Sequence, residues 1–242
     1  MSKIPTVFDA KYYDEDYFRT PEGKKYIGSD GEVHGWSYAS PDGEFLGAKQ
    51  IAEAWKEVFN PTYMLDVGAG RGTFVAYARD VGIHAYGFDY SSFAVNEGRY
   101  PRCGSVYLIQ HDATKPWPWY DKQFPLVVSL DFYEHIYEED LFLVIPEMFR
   151  VASKYIFLQI ATVDGVKEKG YSLKKGEPVP EGLQGLAVAG HVNVRTEEYW
   201  YDRFDHEDWM PRRDLVAHFV SLVDQRIIRN WLLNTIIVLE RI

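Results

Sequence analysis

Tyr63-Met64-Leu65-Asp66-Val67-Gly68-Ala69-Gly70-Arg71-Gly72-Thr73-Phe74-Val75 is the stretch that decides the fold. Met64 to Val67 reads as a short apolar strand, the glycines at 68, 70 and 72 as a turn, and Thr73 onward as the opening of a helix. Glycine lets a backbone turn tightly and come close to a ligand, because no Cβ blocks positive φ or near contact. The following helix is expected to offer free N–H groups and the positive end of its dipole to a guest in the turn. A dinucleotide fingerprint would run G-x-G-x-x-G. Here position 73 is Thr and the glycines run G-x-G-x-G behind Asp66, which disfavours a dehydrogenase.

Upstream, Ala48, Ile51, Ala52, Trp55, Val58 and Phe59 recur at helical spacing until Asn60-Pro61 ends the helix. Downstream, Phe74, Val75, Ala78 and Val81 share one helical face that stops at Gly82. Strands are predicted at 83–88, 105–110, 126–130 and 155–160, with a helix through Leu141, Val144, Ile145, Met148 and Phe149. Leu126 to Leu130 shows no alternation, as expected of a strand buried on both faces. This order predicts an α/β fold, a mostly parallel sheet with helices on both faces, whose ligands bind at the carboxyl ends of the strands. Asp66, Asp89, Asp112 and Asp131 all fall at or just before those ends. A carboxylate at the position of Asp89 can accept from both vicinal hydroxyls of a ribose, and Tyr90 leaves the strand at the same edge. The plainer readings stand beside these: Asp89 as a helix-capping turn residue, and Asp112 as a turn former. Pro116-Trp117-Pro118-Trp119 is a stiff loop that either borders a ligand or covers the sheet edge.

The formal net charge of −10, with Lys and Arg scattered, gives no basic face for a phosphate backbone, so nucleic acid is not the expected partner. The single cysteine, Cys103, forbids an internal disulfide and reads as an idle thiol. With no long apolar run and no leader-like start, no membrane insertion is expected and the cytoplasm is the expected location. Aromatic residues make up 16% of the chain, which suits either a ring-rich core or a pocket that stacks on its ligand. Residues 1–47 read as an N-terminal arm. Tyr12-Tyr13-Asp14-Glu15-Asp16-Tyr17-Phe18 is followed by glycines and Pro41 that are expected to break up regular structure. Such an arm is a flap over the active site or a surface strap pinned by its rings. Residues 161–192, rich in Gly, Pro and Lys, form a lid-like insertion in the 48–242 domain and close with Gly190-His191-Val192. Thr196 is a plausible N-cap, a helix is predicted from Asp214 to Val223, and Arg226–Trp231 with Asn234–Glu240 is expected to form an antiparallel hairpin linked by Leu232-Leu233.

Asp66-x-Gly68-x-Gly70-x-Gly72 at a strand-to-helix turn resembles motif I of class I S-adenosylmethionine-dependent methyltransferases, and Glu134-His135-Ile136 and Gly190-His191 resemble later segments of that class. The resemblance implies a Rossmann-like seven-stranded sheet with its last strand antiparallel, and S-adenosyl-L-methionine as cofactor. It implies that Gly68, Ala69, Gly70 and Gly72 border the methionine part, with Asp66 helping to hold its amino group. Asp89 and Tyr90 would serve the ribose, and Asp112 and the backbone of Ala113 the adenine. Leu130 and Asp131 would lie beneath the sulfonium. His135 and His191 are the candidates for a catalytic base, since imidazole titrates near neutral pH. A magnesium-dependent route would draw on Asp131 and Glu134, but nothing in the sequence requires a metal and none is assigned. The expected activity is methyl transfer to a small-molecule or glycan-type acceptor, at oxygen. The alternatives are an RNA or protein methyltransferase and a non-catalytic cofactor-binding partner subunit. The oligomeric state is not legible.

Overall fold

The computed structural model describes residues 4–18, 23–27, 31–36, 47–96, 107–163, 170–180, 182–230 and 235–242. Cys103 and the Leu232-Leu233 link lie outside them. In chain order, α1 (Glu15–Phe18), β1 (Lys24–Ile27) and β2 (Val33–Trp36) precede α2 (Ala48–Phe59), β3 (Tyr63–Val67), α3 (Thr73–Asp80), β4 (His84–Asp89) and α4 (Ser92–Asn96). There follow β5 (Leu108–Gln110), β6 (Phe124–Leu130), α5 (Leu141–Val151), β7 (Ala152–Ile160), β8 (Tyr171–Ser172), α6 (Gln184–Val188) and β9 (Asn193–Val194). The chain ends with α7 (Glu197–Arg203), β10 (Trp209–Pro211), α8 (Arg213–Leu222), α9 (Gln225–Asn230) and β11 (Thr235–Arg241).

The main sheet has seven strands in the order β10-β11-β7-β6-β3-β4-β5. β3 lies between β6 and β4 and is parallel to both, and β11 runs antiparallel to β7 and β10. Both faces are apolar because side chains alternate across the strands. Met64, Leu126, Val128, Phe157 and Val238 face α2, α3 and α8, where Trp55, Phe74 and Phe219 complete a core. Leu65, Val67, Val127, Ile156 and Leu239 face the other way, onto Val144 and Met148 of α5 and Trp200 of α7. At roughly 25 cal/mol per Å² of buried apolar surface, these two layers supply most of the driving force for folding. Among the described residues no helix is long and apolar enough to cross a membrane.

Three expectations are corrected. The strand predicted from Arg226 is the helix α9, which buries Ile227, with Ile228 packed beside it, in the core on the α2 side. Asp224 starts this helix by accepting from the Arg226 N–H at 2.8 Å. The partner of β11 is instead β10, a three-residue edge strand in which Pro211 is tolerated. The arm also contains regular structure, since β1 and β2 pair antiparallel from Lys24↔Trp36 to Ile27↔Val33. Within the described part of the predicted span, Leu108–Gln110 form the third strand, and residues 105 and 106 lie outside the described residues. Thr196 caps α7 as expected, its side chain accepting from the Tyr199 N–H.

The arm and the 161–192 insertion meet above the carboxyl edge of the sheet. Phe8 packs with Tyr137, Leu173, Ala187 and Val192, while Tyr17 and Phe18 pack with Ala94. Tyr12 Oη donates to the Val188 carbonyl at 2.7 Å, Tyr17 Oη to that of Ala189 at 3.0 Å, and the Gly176 N–H to that of Thr6 at 2.8 Å.

Candidate active site

The turn after β3 has φ of 75° at Gly68 and 52° at Gly70, a left-handed backbone that favours glycine. A Cβ at Gly68 would lie 2.4 Å from the Phe132 ring, so only glycine lets that ring settle on the turn. The turn's own N–H groups are largely engaged within the protein. The N–H groups of Gly68 and Ala69 both donate to the Phe88 carbonyl, and that of Gly72 to the Ala69 carbonyl. The Gly70 N–H donates to Asp89 Oδ2 at 2.8 Å. The turn therefore contributes closeness rather than donors.

Asp89, the last residue of β4, is fixed on both sides, because Oδ1 accepts from the Ser91 N–H at 2.8 Å. Each carboxylate oxygen keeps a further lone pair for a hydroxyl. Burial raises its pKa to about 6, and the two backbone N–H groups hold it from rising further. Asp112 accepts from the N–H and the hydroxyl of Thr114, at 2.9 and 2.7 Å, both at Oδ1. It is thus a turn former, yet it also lines the pocket. Asp66 is 1% exposed, and its Oδ2 is buried without a hydrogen-bond partner. Burial, followed by repulsion from Asp89, raises its pKa to about 8.

Asp131 closes β6 with φ of 47°, a costly conformation for a residue with a Cβ and one that marks functional positions. Buried Gln159 holds it there by donating Nε2–H to Asp131 Oδ1 at 2.8 Å. Glu134 and His135 follow on a short 3-10 turn. Glu134 is fully buried, with Oε1 accepting from the Ala161 N–H at 3.2 Å, and burial followed by the charge of Asp131 raises its pKa strongly. The His135 and His191 rings stand edge to face with centroids 4.9 Å apart. Burial, and then the neighbouring His191, drives the pKa of His135 well below 6.5, while burial takes that of His191 to about 4. Both imidazoles are neutral at physiological pH.

These elements enclose one pocket. Gly68, Gly70, Asp89, Tyr90, Asp112 and Ala113 line one part of it, and Leu130, Asp131 and His135 another. Asp66, Ala69, Gly72 and His191 stand behind the lining rather than in it. The sequence reading did not single out several lining residues: His111, Thr114, Phe132, Tyr137, Asp140 and Lys175. His111 and Phe132 adjoin predicted residues at strand ends and could have been found by that position. Lys175 gave no signal, since it reaches the pocket from the irregular insertion, where its Nζ donates to Asp140 at 2.5 Å. The arm supplies Phe8, Tyr13, Tyr17 and Phe18. Trp117 packs on Phe88 with centroids 5.0 Å apart and does not line the pocket, so the Trp-Pro loop covers the sheet edge.

Residues 65–155 match the model of a family described as a methyltransferase domain. Those residues carry a methyltransferase domain. No curated protein matches the sequence. Among solved structures, the plantazolicin methyltransferase BpumL with a desmethylPZN analog and SAH is 16% identical, covering 84% of this chain and 86% of that one with a TM-score of 0.54. The complex of the Haloferax volcanii Trm112 methyltransferase activator and a methyltransferase gives 12% identity, 78% and 90% coverage and 0.52. The PH0226 protein of Pyrococcus horikoshii OT3 gives 23% identity at 0.42, and the alignment spans about half of its length, 53%. At these identities the likeness is one of fold.

Class I methyltransferases take their methyl group from S-adenosylmethionine, and the residues present suit that cofactor. A Cβ at Gly70 would meet only the edge of Phe18, at 3.7 Å, so the methyltransferase turn leaves room for a ligand beneath a displaceable ring. The buried Asp66 Oδ2 lacks a partner that an ammonium group would supply, and His111 Nε2, next to Asp112 in the chain, is likewise buried and unpartnered.

Proposed function

We propose that this domain transfers the methyl group of S-adenosylmethionine to an oxygen of a small-molecule or glycan-type acceptor. The observation that carries this reading is the neutral imidazole of His135 on the wall of a pocket closed over by the arm. The bound sulfonium supplies an electrophilic methyl group, and the protein's tasks are alignment, exclusion of water and removal of the acceptor's proton. Asp89 would hold the ribose hydroxyls, and Asp112 with the Ala113 N–H the adenine edge. The glycine turn and Asp66 would hold the methionine part, with Leu130 and Asp131 beneath the sulfonium. Phe8, Tyr13, Tyr17 and Phe18 exclude water. His135 takes the hydroxyl proton, and its low pKa keeps it able to do so across the neutral range.

The formal charge of −10 favours a small acceptor over RNA. The test is incubation of the protein with methyl-labelled cofactor and a metabolite extract, followed by mass spectrometry. Label is expected in a small hydroxylated compound. His135→Ala should slow transfer by about 10²–10⁴-fold while leaving cofactor affinity unchanged. Label confined to RNA or protein would overturn the acceptor class. Cofactor binding with no transfer to any fraction would favour a non-catalytic partner subunit.

A further inference from the structure

Where His135 lines the pocket, Glu134, His135 and His191 bring one carboxylate and two imidazoles together, with one ligand atom from each lying within 4.8 Å of the others. The chain brings them in from distant places, Glu134 and His135 on the turn after β6 and His191 just ahead of β9. The two segments are stitched by the Val192 N–H donating to the Glu134 carbonyl at 2.8 Å and by Tyr171 Oη donating to the His191 carbonyl at 3.1 Å. His135 Nδ1 and Glu134 Oε2 are buried with no hydrogen bond of good geometry, their polar neighbours being the Gly190 backbone and the Asp131 carboxyl group. Buried polar atoms held this poorly are costly, by up to about 1–3 kcal/mol each, and a cation would satisfy them better. Gly190, with φ of 84°, keeps space open beside it, since a Cβ there would lie 2.8 Å from His135 Nδ1 and 2.9 Å from Tyr13 Oη.

We propose that Glu134, His135 and His191 form a binding site for a divalent first-row transition cation whose open coordination position faces the acceptor end of the pocket. Two neutral imidazole nitrogens and a carboxylate oxygen are the donor set that borderline cations such as Zn²⁺, Fe²⁺ and Co²⁺ take, and three protein ligands leave room for a further one. Bonds of about 2.0–2.2 Å place ligand atoms roughly 3–3.5 Å apart, so the widest pair in the cluster would close by about 1.5 Å around an ion. Binding requires Glu134 to release its proton, which leaves for solvent. The role of the ion rests on the methyl-transfer reading; its binding does not. With the ion in place, His135 is a ligand rather than a base. An acceptor hydroxyl in the open position loses its proton to solvent, and its oxygen forms the new bond to the methyl carbon as the carbon–sulfur bond breaks onto sulfur.

The test uses the full chain, stripped with a chelator, dialysed and titrated with Co²⁺ alone while its visible absorption is followed. One equivalent is expected to bind, to give a ligand-field spectrum and to be displaced by Zn²⁺. His191→Ala and Glu134→Gln should each weaken binding by at least about 100-fold, in proteins whose circular dichroism matches wild type. Should a variant fail to fold, the wild-type titration still decides. The absence of saturable one-to-one binding, or binding that survives His191→Ala unchanged, would overturn the site. Titration of S-adenosylhomocysteine into the stripped protein keeps the two questions apart. Cofactor binding without Co²⁺ binding would sink the metal site alone, and Co²⁺ binding without cofactor binding would sink the methyl-transfer reading alone.

Discussion

Asp66 sits in the middle of a buried strand, with a carboxyl oxygen that nothing in the protein satisfies. Its pKa of about 8, against an ordinary value of 3.8, carries a consequence for stability. Between those two values the folded chain holds a proton that the unfolded chain has released. The group's contribution to stability is therefore greatest below the lower value and falls as pH rises towards the upper one. His191 acts in the opposite sense, with stability falling as pH drops from 6.5 towards its folded value of about 4, so the comparison must be made on a variant. The melting temperature of Asp66→Asn relative to wild type is expected to rise between about pH 5 and pH 8, read by thermal unfolding of cofactor-free protein. A difference independent of pH would contradict the buried-carboxylate account. At this scale the sequence was most legible at the strand ends, where a parallel sheet dictates which residues gather. Asp89 and Asp112 share one pocket for that reason. What the sequence did not show was the cost of placing them there, because burial and hydrogen-bond partners come from tertiary packing.

The elements that cover the site are held by a small number of contacts. The arm docks through Phe8, Tyr12, Tyr13, Tyr17 and Phe18, and two of these tyrosines bond to main-chain carbonyls at the end of α6. Replacing Tyr12 and Tyr17 together by Phe removes both bonds and leaves the rings, at about 0.5–1.5 kcal/mol each. This double variant is expected to release bound cofactor faster and to be cleaved sooner in the arm by protease, with an unchanged melting temperature of the sheet core. Stopped-flow displacement and timed proteolysis would show it. Unchanged release would mean that the arm is a strap and not a cover. The aromatic run at Tyr12–Phe18 signalled an arm with something to pack on. Its destination was not readable, because contacts across more than a hundred residues leave no local pattern. The same limit hid β10, whose three residues form a strand only because β11 offers an edge.

Across the whole molecule, one sheet aligns five parallel strands so that their carboxyl ends share a rim, and every proposed role depends on that alignment. The alternation of strand and helix followed from periodicity, and the glycine turn from its spacing. The hairpin within the arm, the helix α9 and the edge strand β10 did not, because each is set by tertiary contacts. The central claim is that the rim holds an adenosyl sulfonium with Asp89 on its ribose. Calorimetric titration of S-adenosylmethionine into the wild-type chain and into Asp89→Ala tests it most directly. The account predicts one-to-one binding to wild type and a loss of about 2 kcal/mol, roughly 30-fold in affinity, in the variant. No measurable binding to wild type, or equal affinity in the two proteins, would contradict it.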